Sequence, residues 1–151
     1  MWYATGQAEG IMKIKGLNNR DYKIQLHKYI VSNNDERPRS KLHLSAREML
    51  KDIYGSHWIL EEVKLPGSRN QGLKSTLFLD FFVPHIKLAV EVHGKQHYEY
   101  CGFFHKSIAG FKESIKRDNL KQDWCELNEI SLIVLKYSDD VETWREQIEQ
   151  F

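Results

Sequence analysis

The sequence predicts an α/β fold: elements in the order αβββαβα, forming a central mixed sheet flanked by helices, with an extended N-terminal arm ahead of them. Three observations lead there. Short apolar runs with strand-like alternation occur four times after residue 56, segments with helical spacing precede, separate and follow them, and turn formers punctuate the junctions. At 151 residues, with 41% hydrophobic and 28% charged residues, the chain is long enough for one hydrophobic core.

The elements follow in order. The segment DYKIQLHKYIV alternates, with Tyr22, Ile24 and Leu26 on one side and Lys23, Gln25 and His27 on the other, so it reads as a strand or extended arm. Residues 32–40, SNNDERPRS, are polar and turn-forming, which suggests a linker. The expected division is therefore a basic arm or small appendage over 1–39 and a core over 40–151. Residues 41–55 carry Leu42, Ala46, Met49, Leu50 and Ile53 at helical spacing, with Gly55 as a stop. Strands are expected over 57–65, ended by Pro66-Gly67, over 75–83, and over 86–94 after the tight Pro84-His85 connection. Residues 107–128 read as a long helix and 130–137 as a fourth strand. Residues 138–151 read as a last helix with Ser138 as its N-cap and Val141, Trp144, Ile148 and Phe151 on its apolar side.

Composition narrows the function classes. No stretch approaches the roughly 20 apolar residues of a membrane span. The start, MWYATGQAEG, lacks the basic and apolar regions of a signal peptide, so a cytoplasmic protein is expected. The two cysteines, Cys101 and Cys125, form no CxxC pair. A net charge of +1 hides an asymmetry: residues 1–41 balance at +4 and residues 42–151 at −3, which is compatible with a nucleic-acid partner.

The chemistry concentrates in two apolar strands that contain acids, Asp80 in LFLDFF and Glu91 in LAVEVH. Strand alternation puts Ala89, Glu91 and His93 on one face and Leu88, Val90 and Val92 on the other, and a short hairpin would bring Asp80 close to Glu91. Two close carboxylates repel, so one protonates unless a cation sits between them, and hard oxygen ligands suit Mg²⁺. Such an ion can activate water and stabilise charge on a phosphate. The alternative for the same residues is two buried acids paired with Lys or Arg from elsewhere in the chain.

The stretch LDFFVPHIKLAVEVHGKQHY followed by KRDNLKQDWCELNEISLIVLKY, within residues 40–137, resembles the PD-(D/E)XK nuclease superfamily, in particular small phage and bacterial members related to very-short-patch repair and freestanding homing endonucleases. The resemblance implies a restriction-endonuclease-like core and a Mg²⁺-dependent DNA endonuclease, with Mn²⁺ able to substitute, in the cytoplasm of a bacterial or phage-infected cell. It implies Asp80 and Glu91 as metal ligands with the Val92 carbonyl. His93 stands where the family usually has Lys, and Leu79 where its motif has Pro; Lys95, Gln96 or His97 could share the water-positioning role. The implied partner is double-stranded DNA, and a homodimer would serve a double-strand cut. A mismatch- or structure-specific nickase or repair nuclease, and a catalytically silent DNA-binding module, are rival expectations on the same core.

Other residues carry two readings each. Glu48 could reach the metal site as the acid of the first helix, or serve only in a Ser45-x-x-Glu48 capping box. Glu61 and Glu62 are adjacent, so they face opposite ways and one could approach the site. His93, Gln96 and His97 could be functional or merely end the strand, and Gly94 is expected at a close approach or a positive φ. Arg117, Asp118 and Lys121 could brace the site, touch phosphate or form a solvated helix face. Candidate DNA contacts are Lys13, Lys15, Arg20, Lys23, Lys28, Arg37, Arg39, Lys41, Lys95 and Arg117, with selectivity expected from the arm and the loop at 67–75. His85, His93, His97 and His105 raise a zinc alternative that lacks any assisting CxxC.

Overall fold

A computed structural model of the chain describes residues 10–32, 34–69 and 76–151. Residues 1–9 of the expected arm and 70–75 of the loop at 67–75 lie outside the described residues.

Of the two expectations for the segment from Asp21, a strand or an extended arm, the strand is found: the described residues begin with a hairpin of β1 (Ile11–Lys15) and β2 (Asp21–Gln25), antiparallel and in register from Ile11↔Gln25 to Lys15↔Asp21. β2 ends six residues before the end of the expected segment, at Gln25 instead of Val31, because Leu26 enters the core and a 3₁₀ turn over Leu26–Tyr29 redirects the chain. α1 (Lys41–Tyr54) starts where Ser40 accepts a hydrogen bond from the His43 N–H at 3.1 Å. That cap rules out the capping box expected at Ser45, which lies inside the helix and leaves Glu48 exposed on its surface.

The main sheet has the order β3-β4-β5-β6, from β3 (Leu60–Lys64), β4 (Phe78–Val83), β5 (Leu88–His93) and β6 (Ser131–Lys136). β4 pairs antiparallel with both β3 and β5, and β6 runs parallel to β5, so the sheet is mixed as expected. A parallel neighbour needs a long crossover. Here it is made by the short α2 (Gly102–His105), which the sequence did not reveal, and by α3 (Ile108–Leu127). α4 (Val141–Glu149) is capped by Asp140, which accepts from the Thr143 N–H at 2.8 Å. Ser138, the expected cap, sits in the turn before it: the Asp139 N–H bonds back to the Lys136 carbonyl and the helix begins only afterwards.

Alternation along the strands builds two cores. Phe81, Val83, Leu88, Val90 and Leu135 pack with Ala46, Met49 and Leu50 of α1 and Trp144 and Ile148 of α4. Phe82 and Ala89 join a second cluster with Met12, Ile14, Ile24 and Leu26 of the hairpin and Leu120, Trp124 and Cys125 of α3. The hairpin thus packs into the same core as the sheet. Asn128, just after α3, ties it down by bonding both the N–H and the carbonyl of Lys15, at 2.7 and 2.8 Å.

Candidate active site

Asp80 and Glu91 lie on the α3 face of the sheet, at the point where β4 and β5 part. The ladder between these strands runs from Val83↔Leu88 to Phe81↔Val90. One residue further, side chains take over: the Asp80 N–H donates to Glu91 Oε2 and the Val92 N–H donates to Asp80 Oδ2, both at 2.8 Å. Each carboxylate therefore closes the backbone of the opposite strand. This reciprocal arrangement holds the two acids side by side.

The cation beside Glu91 is Lys121 of α3, with Nζ 2.5 Å from Oε1 while the Glu91 side chain is only 2% exposed. The reading of buried acids paired with a distant Lys thus has its partner for Glu91. Burial works against the Lys121 charge, yet Glu91 overrides it and holds the ammonium above its ordinary range. Asp80 has no such direct partner. Burial, reinforced by the neighbouring Glu91 charge, pushes its carboxyl up to about 7.

His93 follows Glu91 on the same face, and its ring stacks on that of His97 at 3.9 Å and 8°. His97 ends the 3₁₀ turn Lys95–His97, and its Nδ1 lies 2.9 Å from Asp118 Oδ2; His93 Nε2 is 3.9 Å from the other oxygen of the same carboxylate. Burial opposes ionisation of Asp118, but the bond to His97 holds its carboxyl below the usual range. An ionised carboxylate only accepts, so His97 Nδ1 carries the hydrogen and Nε2 is left as the proton acceptor. Burial, then His97, depresses His93 to about 4. Tyr98 Oη sits 3.3 Å from His93 Nδ1. His93, His97 and Asp118 offer ligand atoms within 4.8 Å of one another, a group able to hold a metal.

Asp80, His97, Asp118 and Lys121 line one cleft of about 480 Å³, together with Glu62 and Arg117, and Glu91 and His93 contact these lining residues without lining it themselves. Asp118 and Lys121 share a face because they are three apart on α3, and Asp80 and Glu91 arrive from adjacent strands. The i,i+3 spacing of Asp118 and Lys121 was the available signal for their convergence. Their partners, His97 and Glu91, are 21 and 30 residues away, beyond what spacing reveals.

Several expected site residues lie elsewhere. Glu48 borders a shallow groove with Ser45, Asp52 and Arg145, away from the cleft. Glu61 and Glu62 do face opposite ways. Glu61 turns to α1, where burial would raise its carboxyl but His43, at 2.6 Å, and Arg47, at 2.8 Å, hold it low. Glu62 turns to the cleft and is ion-paired with Arg39. Gly94 has φ −75°, so no left-handed turn requires it; a side chain there would press on the Gln96 amide, which is half-buried.

The basic candidates separate in the same way. Arg39 is a correction: its side chain is 7% exposed and engaged with Asp35 and Glu62, which withdraws it from the surface. Arg37 is held by Asp35 at 2.7 Å, Lys15 by Asp21, Lys95 by Glu99 and Arg117 by Glu113. Lys13, Arg20, Lys23, Lys28 and Lys41 are exposed, and Lys23 and Lys28 line a common hollow beside the hairpin. His85 stacks on His57 and His105 bonds the Cys101 N–H, so neither joins the metal-capable group.

Fold and site together define a mixed α/β protein whose sheet carries a carboxylate, lysine and histidine cleft at a strand divergence. No family model matches the chain. It is 30% identical over 111 residues to uncharacterized protein 094L of Frog virus 3, covering 72% of this chain and 70% of that one, and it belongs to the same family. It is also 34% identical over 83 residues to uncharacterized protein 307L of Invertebrate iridescent virus 6 and 39% identical over 70 residues to uncharacterized protein 033L of Invertebrate iridescent virus 3. Those matches span 42% and 36% of the respective relatives. The relatives are viral, whereas the sequence resemblance points to phages and bacteria. Among the described residues no helix is long and apolar enough to cross a membrane.

Proposed function

We propose that the chain is a metal-dependent endonuclease on a restriction-endonuclease-like core, hydrolysing phosphodiester bonds of DNA with Mg²⁺, and Mn²⁺ as a substitute. One observation carries this reading: Asp80, Lys121 and the His97–Asp118 pair line a single cleft, with Glu91 bonded to Lys121 beside it. A cation suits the donor set. Asp80 is a buried carboxyl pushed up to about 7 beside a second acid, a situation that a bound cation relieves. Asp80, Glu91 and the Val92 carbonyl would hold the ion. Bound there, it supplies charge stabilisation on the scissile phosphate and a more acidic water.

The chain's own residues do the rest. His97 takes the proton of the attacking water at Nε2, and Asp118 fixes the tautomer and steadies the charge that follows. His93, depressed to about 4, stays neutral at physiological pH and orients the His97 ring by stacking. Lys121 pairs with Glu91 and takes the place of the motif lysine that His93 has displaced. Arg117 at the rim meets a non-bridging phosphate oxygen.

A second reading rests on the His93–His97–Asp118 group: two imidazoles and one carboxylate favour a borderline metal such as Zn²⁺ over Mg²⁺. The deciding experiment is cleavage of supercoiled and linear DNA, with mixed phage and bacterial genomic DNA covering an unknown target, in Mg²⁺, Mn²⁺, Zn²⁺ or EDTA. Mg²⁺-dependent cutting that disappears in Glu91→Gln is expected. Cutting with Zn²⁺ alone favours the second reading, nicks confined to mismatched or branched substrates favour a repair-type nickase, and binding without cutting in any metal favours a silent binding module.

A further inference from the structure

Beside the cleft lies a larger hollow, about 940 Å³, between the β1–β2 hairpin and the turn that follows β3. Its charge is the reverse of the cleft's. Lys23, Lys28, Lys64 and Arg69 converge on it, and among the described residues no acidic side chain lines it. Among the described residues Lys23, Lys28 and Lys64 have no acidic partner; Lys28 lies over the Tyr29 ring at 5.3 Å from its centroid. Tyr22 and Tyr29 form its aromatic wall. Three lysines gathered without an acidic partner among the described residues repel one another, and a polyanion relieves that repulsion.

The hollow is built, not incidental. The hairpin meets the turn backbone to backbone at Gly16 and Gly67, where a Cβ on Gly67 would fall 2.5 Å from the Gly16 Cα, and the Leu17 N–H bonds the Gly67 carbonyl at 2.8 Å. The same turn is fixed to α3 by Trp124 Nε1, which donates to the Pro66 carbonyl at 2.9 Å. α3 also carries Asp118 and Lys121, and Thr76 lines both hollows, so the basic trough opens onto the cleft.

We infer that this trough is the seat of the DNA strand flanking the scissile phosphate, its lysines contacting phosphates and its tyrosines the sugars and bases. The inference rests on the nuclease reading for what happens in the cleft, but binding tests it without chemistry. A fluorescent duplex of mixed sequence is titrated in EDTA across a range of salt concentrations with wild type, a Lys23→Gln/Lys28→Gln/Lys64→Gln variant, and a Lys51→Gln/Lys87→Gln/Lys112→Gln variant that removes equal charge away from both hollows. Each phosphate contact contributes about 0.9 to the slope of log K against log salt. The trough variant is expected to lose about 2–3 from that slope, and the control less than 1. Unchanged thermal midpoints certify both variants; if the triple variant does not fold, Lys64→Gln alone is expected to lose about 1.

A trough variant that binds and responds to salt like the control overturns the inference, even if wild type cuts DNA. A selective loss of binding upholds the trough, even if wild type never cuts and the nuclease reading falls. Wild type that binds no DNA overturns both.

Discussion

The cleft and the trough lie side by side and handle charge in opposite ways. In the cleft, buried groups answer one another: Lys121 meets Glu91, and Asp118 meets His97. In the trough, Lys23, Lys28 and Lys64 stand exposed, with no acid lining it among the described residues. Burial explains the difference. A charge withdrawn from water must be compensated inside the chain, whereas an exposed cation keeps its hydration and stays available to a partner. The cleft is consequently where pKa values move, and the trough is where salt sensitivity should reside.

The sharpest way to break this contrast is to strip the compensation from the cleft. Lys121→Met leaves Glu91 buried without its cation and should cost about 3–5 kcal/mol of stability in chemical denaturation. Millimolar Mg²⁺ or Mn²⁺ should restore more stability to this variant than to wild type; equal shifts in both would argue against a cation site beside Glu91. Next in size is Asp80→Asn, which under the proposed nuclease function is expected to slow cleavage by about 10²–10³, the scale of losing one preorganised charge-stabilising group. Its DNA binding in EDTA should stay within twofold of wild type. A parallel collapse of binding would mean that cleft and trough do not divide the labour as described.

A smaller effect concerns pH. The Asp80 carboxyl sits at about 7 in the folded chain against 3.8 ordinarily, so the folded chain holds a proton that the unfolded chain releases across this interval. Stability on this account is fully present below about pH 4 and declines as pH rises to 7. Asp80→Asn should therefore be more stable than wild type at pH 8 in EDTA, each kcal/mol adding about 2–4 °C to Tm, with the gap closing toward pH 4. His93 works in the other direction: its depressed pKa, about 4 against 6.5, removes stability as pH falls through that window, and His93→Gln should flatten the acid limb. Smallest is Asp140→Ala, which removes the α4 cap at a cost of about 1 kcal/mol and should leave both cleft and trough unaltered.

Much of the core was legible because its signals are local. Alternation in LAVEVH assigned Glu91 and His93 to one face, and the apolar spacing of α1, α3 and α4 located them to within a few residues. What stayed hidden depends on distant contacts. β1, only five residues long, is recognisable as a strand mainly through its pairing with β2 and the Asn128 clamp. Arg39 looks like any surface arginine until Asp35 and Glu62 enclose it. The pairings of Lys121 with Glu91 and of His97 with Asp118 depend on how α3 crosses the sheet, which no spacing along the chain encodes.

The reciprocal bonds between Asp80, Glu91 and the opposite strands' N–H groups bear on how relatives should be compared. These acids also stitch the hairpin, so a descendant that abandoned chemistry would still be under pressure to keep them. Their presence in a relative is a sign of shared architecture before it is a sign of activity. Among the described residues the His97 ring bonds the Asp118 side chain and no backbone group, so under the proposed nuclease function its loss or retention is the better marker for sorting active lineages from silent ones.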